Sequence, residues 1–566
     1  MDKLRFSLWI VLAGLAYYLY IAWQIDYPPP KVAATSAVAQ PSATADLLPP
    51  LPSSGATSAP AVPNADAPPP IATPAPAATP AAANPAAQRI TVRTDVYNIE
   101  LSTQGGELLR AELVKYPLDK DQPGKQVVLL DNTSDRYFYA RSGLRSADEK
   151  SAPTHQALYQ AEASSFQLQD GQDTLSVPLV WTNGGVTVTK MYTFKRGSYA
   201  IDLKYLIDNK SANEWSAASY VQLARNQPVV ESSMLHAESY AYFGPAVYTG
   251  QKIQKLKLTD EDYKNFTATY TDGWIASMQH HFVVASLPDV GKSYDFRLNI
   301  DTPQQFTLMY RGPLVPIAAG ASGELHETLF IGPKLQSHLT AIRDRLDLVA
   351  DYGWLHTVAK PLFIVLNAVH SYIGNWGWSI ILVTLLIKAL FYKLTASSGK
   401  SMAKMREMAP RLKAMQDRYK DDREALGRAT MEFYKREKIN PLASCLPTLV
   451  QMPIWMAFYW VILNSAEMRQ APFIGYLTDL SSKDPYFILP IILGVANFMQ
   501  FRLNPAPADP VQAKVMMLMP VLMTGMMAFF PSGLALYWIT NTGLSILQQW
   551  HINRTVAAET ATAKKT

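Results

Sequence analysis

A single basic side chain lies well inside a long apolar stretch in the last third of the chain. The stretch WSIILVTLLIKALFYKL runs from Trp378 to Leu394, and the basic residue is Lys388. A charge at the middle of a membrane helix costs about 2.5–3.5 kcal/mol on insertion scales, so it is usually kept for a function. One interpretation is an amine facing a water-filled cavity; the other is snorkelling, in which the lysine stem carries the amine to the headgroups. Lys393 already lies where snorkelling is easy, which favours the cavity for Lys388.

Polar residues in the neighbouring segments supply partners for such a cavity. Thr384 lies four residues before Lys388 and therefore on the same helical face. The polar side chains that the other apolar segments offer include Gln451, Asn497, Gln500, Thr540, Asn541 and Gln548. Each alone is typical of a hydrogen bond between membrane helices, whereas together they predict a polar lining around Lys388.

The same segments argue against two classes of membrane protein. Their interiors contain no Asp or Glu, which an ion-coupled transporter usually needs. They also contain no zinc-protease motif and no Ser/Lys dyad, so an intramembrane protease is disfavoured. We therefore expect no enzymatic activity, no cofactor and no metal site.

Six apolar segments are predicted to span a membrane. The first, FSLWIVLAGLAYYLYIAW, follows Lys3 and Arg5 and suits an uncleaved anchor over residues 1–27. A cleaved signal peptide is the alternative, since Ala-Val-Ala occurs at 37–39. The other five segments are Trp376–Leu394, Leu446–Leu463, Tyr486–Phe501, Val515–Phe530 and Gly533–Trp550.

The basic residues predict the orientation of these spans. The loop 396–440 holds 12 Lys and Arg against 7 Asp and Glu, so we expect it in the cytoplasm. The segment 464–485 has only two basic residues, Arg469 and Lys483, so we expect it on the outer side of the membrane. Six spans then return both termini to the cytoplasm and place the long region between the first two spans on the outer side.

That long region divides into a linker and a β-domain. Residues 28–88 are rich in Pro, Ala, Ser and Thr and contain 16 of the 40 prolines, which predicts a disordered tether. From residue 89 to about 335, apolar and polar residues alternate between Gly, Asn and Asp turns. This pattern indicates half-buried antiparallel strands and a large β-sandwich without an evident site.

Helical patterns resume after the β-domain. Residues 336–375 are predicted to form a connecting helix and an amphipathic helix lying in the interface, although a packed soluble helix has the same periodicity. Residues 376–554 form the five-span core, which includes a helical hairpin at 396–440, and residues 555–566 form a cytoplasmic tail.

The hairpin carries methionines between basic residues. Met402, Met405 and Met408 recur on one side, near Arg411 and Lys413. Packing within the hairpin explains this pattern, and so does an adaptable docking surface for apolar segments or targeting factors.

Bulk properties exclude further classes. The net charge is only +5, which does not indicate a nucleic-acid-binding protein. The single cysteine, Cys445, excludes a disulfide framework or a thiolate metal site within one chain.

The carboxy-terminal 200 residues resemble the YidC/Oxa/Alb family of membrane protein insertases. The stretches that carry the resemblance are GNWGWSIILVTLLIKALFYKLT, KSMAKMREMAPRLKAMQDRYKDDREAL, KINPLASCLPTLVQMPIWMAFYWV, AEMRQAPF, DPYFILPIILG and FPSGLALYWITNTGLSILQQW. Their order and spacing fit across the region. The anchor, tether and β-domain resemble the layout of the Gram-negative form, whose periplasmic domain is a β-supersandwich.

This resemblance implies a hydrophilic groove that is open to cytoplasm and lipid. Lys388 matches the family's basic groove position, which is usually Arg, and Thr384 matches the preceding threonine. Gln451 and Trp538 match a polar and an aromatic groove position, and we add Asn541 to this substrate groove. Lysine keeps the charge but lacks the planar fork that binds a carboxylate through two bonds.

The resemblance implies an inner-membrane insertase that acts without the Sec translocon or beside it. The partners it implies are nascent membrane proteins and the bilayer, with the translocon, ribosome and targeting factors as further candidates. A chaperone and assembly factor beside the translocon is the alternative function, and nothing indicates direct nucleic-acid binding.

Overall fold

The computed structural model describes most of the chain from residue 87 onward. The described residues are 87–120, 122–132, 137–146, 151–228, 241–419, 423–437, 446–503 and 510–563. The predicted anchor 1–27, nearly all of the predicted linker 28–88 and Cys445 lie outside the described residues.

The described residues between Arg89 and Pro333 form a β-rich region, as the alternating pattern predicts. Its strands are β1 (Arg89–Arg93), β2 (Tyr97–Ser102), β3 (Leu108–Asp119), β4 (Gln122–Asp131), β5 (Phe138–Arg145), β6 (Gln160–Ala161), β7 (Ser165–Gln167), β8 (Thr174–Asn183), β9 (Val186–Lys195), β10 (Ala200–Asn209), β11 (Trp215–Asn226), β12 (Gly244–Tyr248), β13 (Ile253–Lys255), β14 (Thr267–Thr271), β15 (Trp274–Met278), β16 (Phe282–Pro288), β17 (Ser293–Thr302), β18 (Gln305–Arg311), β19 (Val315–Ile317) and β20 (Ser322–Pro333).

The described strands form two sheets that pack as a sandwich. One has eleven strands in the order β14-β17-β18-β11-β5-β4-β3-β2-β1-β7, with β19 paired to β11. The other has nine, in the order β13-β12-β15-β16-β20-β10-β9-β8-β6. The pairings are antiparallel apart from β1 with β7. Such sheets alternate buried and exposed side chains, which is why the sequence reveals them.

The interior of the sandwich is apolar but contains a charged residue. Along β9 the inward positions include Val188, Lys190 and Tyr192, all fully buried. The Lys190 amine donates to the carbonyl of Gly105 at 2.7 Å and to that of Ser142, on the opposite sheet, at 3.0 Å. Burial lowers the pKa of Lys190 to about 7. These bonds satisfy the buried amine and connect the two sheets.

Nine α-helices, joined by loops, follow in the rest of the described chain. They are α1 (Gln336–Ile342), α2 (His356–Ile373), α3 (Trp376–Leu390), α4 (Tyr392–Arg418), α5 (Arg423–Arg436), α6 (Leu446–Asn464), α7 (Ile488–Leu503), α8 (Pro510–Met527) and α9 (Ser532–Ala563). The predicted segments at 446–463, 486–501 and 515–530 fall on α6, α7 and α8 with ends that differ by a few residues.

The second predicted span does not form one helix. It was expected to run from Trp376 to Leu394, but α3 ends at Leu390 and the chain turns by 70° into α4. Across the turn, Gln548 of α9 donates to the Thr395 hydroxyl at 2.9 Å, so α9 contacts the start of α4. The apolar run alone predicts a straight helix at this point. In the structure the chain bends here, and α9 contacts the bend.

Length and hydropathy single out no individual helix as a membrane span within the described residues. The bent pair Trp376–Leu390 and Tyr392–Leu412 meets the criterion jointly, and shorter apolar helices lie at Leu449–Asn464, Ile488–Leu503 and Met517–Met527. The six-span count stays a prediction.

The hairpin and the carboxy-terminal helix differ from their predicted limits. The first hairpin helix, α4, begins at Tyr392 rather than at 396 and contains Pro410 in its interior. Helix α9 continues to Ala563, so the predicted tail from residue 555 prolongs the last core helix. Ala403 of α4 is buried against Ile552 and Val556 of α9, which fixes the base of the hairpin.

The sandwich and the helical part touch at the end of β3 and the residue after it, residues 117–120, which we call the β3–β4 turn. Arg469, in the loop after α6, donates to the carbonyls of Pro117 at 2.9 Å and Leu118 at 3.1 Å. Its guanidinium lies 5.4 Å from the centre of the Phe282 ring. Lys120 donates to the carbonyl of Thr478 in the same loop. The β-domain therefore contacts the helical part through the loop that follows α6.

Candidate substrate groove

Lys388 lies in the last turn of α3 and reaches across to α9. Its amine donates to the Ser545 hydroxyl at 2.8 Å, and that hydroxyl donates to the Asn541 carbonyl at 2.8 Å. The Lys388 side chain is partly buried. Among the described residues no carboxylate lies within ion-pair distance of this amine. The described partner of this amine is therefore a neutral hydroxyl.

A polar stripe on α9 continues from this contact. Asn541, Ser545, Gln548 and Gln549 recur at helical spacing and face α3, α4 and α6. Gln549 donates to the Gly399 carbonyl of α4 at 3.2 Å. Residues three and four apart share a helical face, so the stripe follows from the sequence spacing.

The third predicted span contributes an amide to the same place. The Gln451 amide of α6 donates to the Asn541 side-chain oxygen and lies 3.5 Å from the Tyr537 hydroxyl. The structure therefore brings together three predicted site residues, Lys388, Gln451 and Asn541. With Ser545 they form what we call the groove cluster.

A small cavity adjoins the groove cluster. It is lined on the α3–α4 side by Lys388 and Thr395 and on the α6 side by Gln451. Its volume is about 10 Å³, which is close to the space that one water molecule needs. The remaining lining is apolar and consists of Ile387, Phe391, Leu394, Val450 and Ile454. Polar and apolar side chains therefore share the lining of this one small cavity.

Two predicted groove residues take partners outside the cluster. Thr384 is 1% exposed and its hydroxyl donates to the Ile380 carbonyl of its own helix at 2.6 Å. Trp538 packs edge-on against Trp455 of α6, with ring centroids 5.1 Å apart. Neither residue lines the small cavity. Both contribute to the packing between the helices that carry the groove cluster.

Sequence reasoning missed Ser545 and Thr395. Ser545 lies four residues after Asn541, so the helical spacing already contained the signal. The apolar run predicts one straight span that ends at Leu394. Thr395 lies just beyond that span, so the sequence does not place it beside Lys388.

The docking hairpin is described in part. Met402, Met405 and Met408 are half-buried. This burial does not separate packing within the hairpin from a docking surface. Arg411 is exposed and lies 4.0 Å from Glu437 of the second hairpin segment. The side chain of Lys413 lies outside the described part of the chain.

Family models match both halves of the chain. The model described as the YidC periplasmic domain matches residues 89–365, and the model described as 60Kd inner membrane protein matches residues 368–559. The first range holds the sandwich and the second holds the groove cluster.

Whole-length relatives give the same assignment. The chain is 42% identical over 570 residues to membrane protein insertase YidC of Methylococcus capsulatus strain Bath, and 42% identical over 575 residues to that of Pseudomonas putida strain W619. Both alignments cover 100% of each chain. A crystal structure of an active YidC insertase with its first transmembrane domain resolved aligns with 81% of this chain and 92% of its own, at 18% identity and a TM-score of 0.38. The chain belongs to the YidC family of membrane protein insertases.

Proposed function

We propose that this chain inserts newly made proteins into the bacterial inner membrane and helps them fold. The observation that carries the proposal is the Lys388 amine, which is held by the Ser545 hydroxyl without a described carboxylate partner. An unneutralised charge among apolar helices attracts acidic groups strongly, because the low dielectric weakens Coulomb forces less than water does.

In this proposal, insertion at the groove cluster takes place in two steps. A hydrophilic, acidic end of the substrate enters beside Lys388, where polar side chains replace part of its hydration. The adjoining apolar segment moves into lipid along the exposed apolar surfaces of α6 and α8, where Leu449, Met452, Val521 and Leu522 are exposed. Burial of about 20 apolar residues in lipid supplies the driving force.

The membrane arrangement is part of the proposal. Six spans, both termini in the cytoplasm and the sandwich in the periplasm agree with the excess of basic residues in loop 396–440. The domain limits at 27, 88, 335, 375 and 554 belong to the same proposal.

Partners beyond the substrate and the bilayer are proposed from the family and from the hairpin. The half-buried methionines of α4 lie beside the exposed Arg411 and suit apolar segments or targeting factors, and the ribosome and the Sec translocon are further candidates. Crosslinking of substrates to Gln451 and Asn541 in cells depleted of the translocon separates two roles. Contacts that persist support independent insertion, and contacts that vanish support assembly beside the translocon.

The charge of Lys388 gives the direct test of insertion. The measurement is protease protection of a small substrate with an acidic translocated tail. We expect Lys388→Ala to lower insertion about tenfold, Lys388→Arg to retain most of it and Lys388→Glu to be the worst. Ser545→Ala should cause a smaller loss, since the charge remains.

Two controls define the result. Lys393→Ala removes an exposed lysine five residues further on and should insert normally. A substrate with a neutral tail should respond weakly to the Lys388 series. Equal insertion of the acidic-tailed substrate by Lys388→Ala and the wild type would show that electrostatic attraction is not the mechanism.

A further inference from the structure

A second cavity lies where the sandwich meets the helices. Its volume is about 300 Å³, at the lower end of the range of about 300–1,000 Å³ for small-molecule sites. The sandwich contributes Lys255, Lys257 and His280, the connecting segment contributes Lys334 and Asp351, and α6 contributes its last turn. We call it the junction pocket. No part of the groove cluster lines it.

The junction pocket carries excess positive charge. Lys255 is ion-paired with Asp351, so these two charges offset each other. Lys257 is exposed at the rim. Lys334 is only 5% exposed, and its amine has no described hydrogen-bond or ion-pair partner. Burial lowers the pKa of Lys334 to about 7 although the nearby Asp351 opposes this shift, so the amine is only partly charged at neutral pH. A bound anion would favour its charged form and offset the cost of burying it.

His280 does not add to this charge at neutral pH. Burial, together with the nearby charge of Lys334, lowers the pKa of His280 to about 4, so the imidazole is neutral. The positive charge of the junction pocket comes from its lysines. Lysine amines bind phosphate groups as point charges.

The position of the junction pocket points to the membrane surface. Trp460 and Asn464 line it from the last turn of α6, and Gly353 lines it just before α2 begins. In the proposed membrane arrangement, on which this step rests, the end of α6 reaches the outer headgroups, where Trp is enriched. Helix α2 begins at His356, three residues after Gly353, and its exposed Val358, Ile364 and Val365 offer an apolar surface for acyl chains.

We propose that the junction pocket binds the phosphate of an anionic phospholipid from the outer leaflet. Lys334 and Lys257 contact the phosphate, and the apolar face of α2 contacts the acyl chains. Basic pockets beside membrane helices recognise lipid headgroups by the same means. A free phosphate ion would use the lysines but would gain nothing from α2, which is why the lipid is favoured. The site goes beyond insertion itself and ties the sandwich to the bilayer.

Native mass spectrometry of the full-length chain in detergent, titrated with phosphatidylglycerol or phosphatidylcholine, tests this site. We expect the wild type to bind phosphatidylglycerol more tightly than phosphatidylcholine. Lys334→Met and Lys257→Gln should each weaken phosphatidylglycerol binding about tenfold, as loss of a charged hydrogen bond does. Lys257 is exposed, so its variant keeps the test valid if Lys334→Met fails to fold.

The matched control is Lys252→Gln, which removes an exposed lysine three residues before Lys255 that does not line the junction pocket, and it should bind like the wild type. Equal binding of the two lipids by the wild type, or wild-type binding by both pocket variants, overturns the proposal. Inorganic phosphate that binds while phosphatidylglycerol does not would assign the junction pocket to the free ion and overturn the lipid assignment. The assay contains no substrate, so a failed insertion test at Lys388 leaves its outcome unaffected.

Discussion

At the scale of single residues, two adjacent histidines are held neutral where the sandwich meets the helices. The rings of His280 and His281 stack with centroids 3.9 Å apart. Burial is the main cause that lowers the pKa of both, and the charge of Arg469 acts in the same direction. Protonation of either ring would place a charge in a poorly hydrated contact between the two parts of the molecule.

These histidines predict a loss of stability in mild acid. In the unfolded chain a histidine has a pKa near 6.5, whereas folded His280 has a pKa of about 4. Between these values the unfolded chain binds more protons, so stability rises with pH and falls on acidification. From pH 7.5 to pH 5, His280 alone should cost about 2 kcal/mol. Thermal unfolding of the full chain across this range, followed by light scattering or intrinsic fluorescence, measures the loss.

The variant His280→Gln cannot be protonated and should flatten this pH dependence. His281 remains, so part of the dependence remains with it. His338→Gln replaces an exposed histidine on α1 and should leave the profile of the wild type unchanged. If His280→Gln and the wild type lose the same stability between pH 7.5 and pH 5, protonation at this site does not weaken the contact.

Residue types predicted the groove cluster only in part. Lys388, Gln451 and Asn541 were recognisable because charge and amide groups are costly among apolar residues and therefore conspicuous. Thr384 was predicted as a groove residue from its helical face, yet its hydroxyl is bonded within its own helix. A hydroxyl can satisfy itself in this way, so sequence spacing does not reveal which partner it takes.

At the scale of elements, the start of α3 depends on a close contact with the loop after α6. Asn375 caps α3 by accepting from the Trp378 amide at 3.2 Å, and its own amide donates to the Phe473 carbonyl at 3.1 Å. Gly377 leaves room for the Phe473 ring, because a Cβ at this position would lie 2.0 Å from that ring. The ring and the helix therefore fit together only with glycine here.

We expect Gly377→Ala to destabilise the helical part by about 1–3 kcal/mol, the usual cost of overpacking. Gly525→Ala is the matched control, since Gly525 is also helical but a Cβ there meets nothing within 4 Å. Alanine is the better helix former, so this control should be unchanged or slightly more stable. The measurement is the unfolding temperature of purified full-length variants in detergent. A Gly377→Ala protein as stable as Gly525→Ala would show that Phe473 moves aside freely.

The ends of elements were harder to predict than their presence. Strands β8 to β10 follow directly from alternation, because one face of each strand is buried. The end of α3 at Leu390 carries no proline or glycine that would predict it; it coincides with contacts from Ser545 and Gln548 of α9. Such contacts join residues about 150 positions apart, which local periodicity does not report.

At the scale of the whole molecule, Arg469 and its neighbour Gln470 both bond the sandwich to the loop after α6. Arg469 donates to two carbonyls of the β3–β4 turn, and Lys120 of that turn reaches back to Thr478. The junction pocket lies at the same boundary between the sandwich and the helices. The sequence predicted two separate parts from their different periodicities, but a contact made through backbone carbonyls has no signature in residue types.

Arg469→Ala should loosen this attachment. A short bis-thiol crosslinker between Lys120→Cys and Thr478→Cys, in a chain with Cys445→Ser, reports the distance between the turn and the loop. We expect the crosslinked fraction to fall on the order of threefold or more when Arg469 is replaced, because two charged hydrogen bonds are lost.

Arg196→Ala provides a matched control for this crosslinking experiment. Arg196 also donates to two backbone carbonyls, those of Gln169 at 2.7 Å and Gln172 at 3.0 Å, but both lie within the sandwich. Its loss should leave crosslinking at the level of the parent. If Arg469→Ala and Arg196→Ala crosslink equally well, the β3–β4 turn is held by the remaining contacts, and Arg469 does not determine how the sandwich sits on the helices.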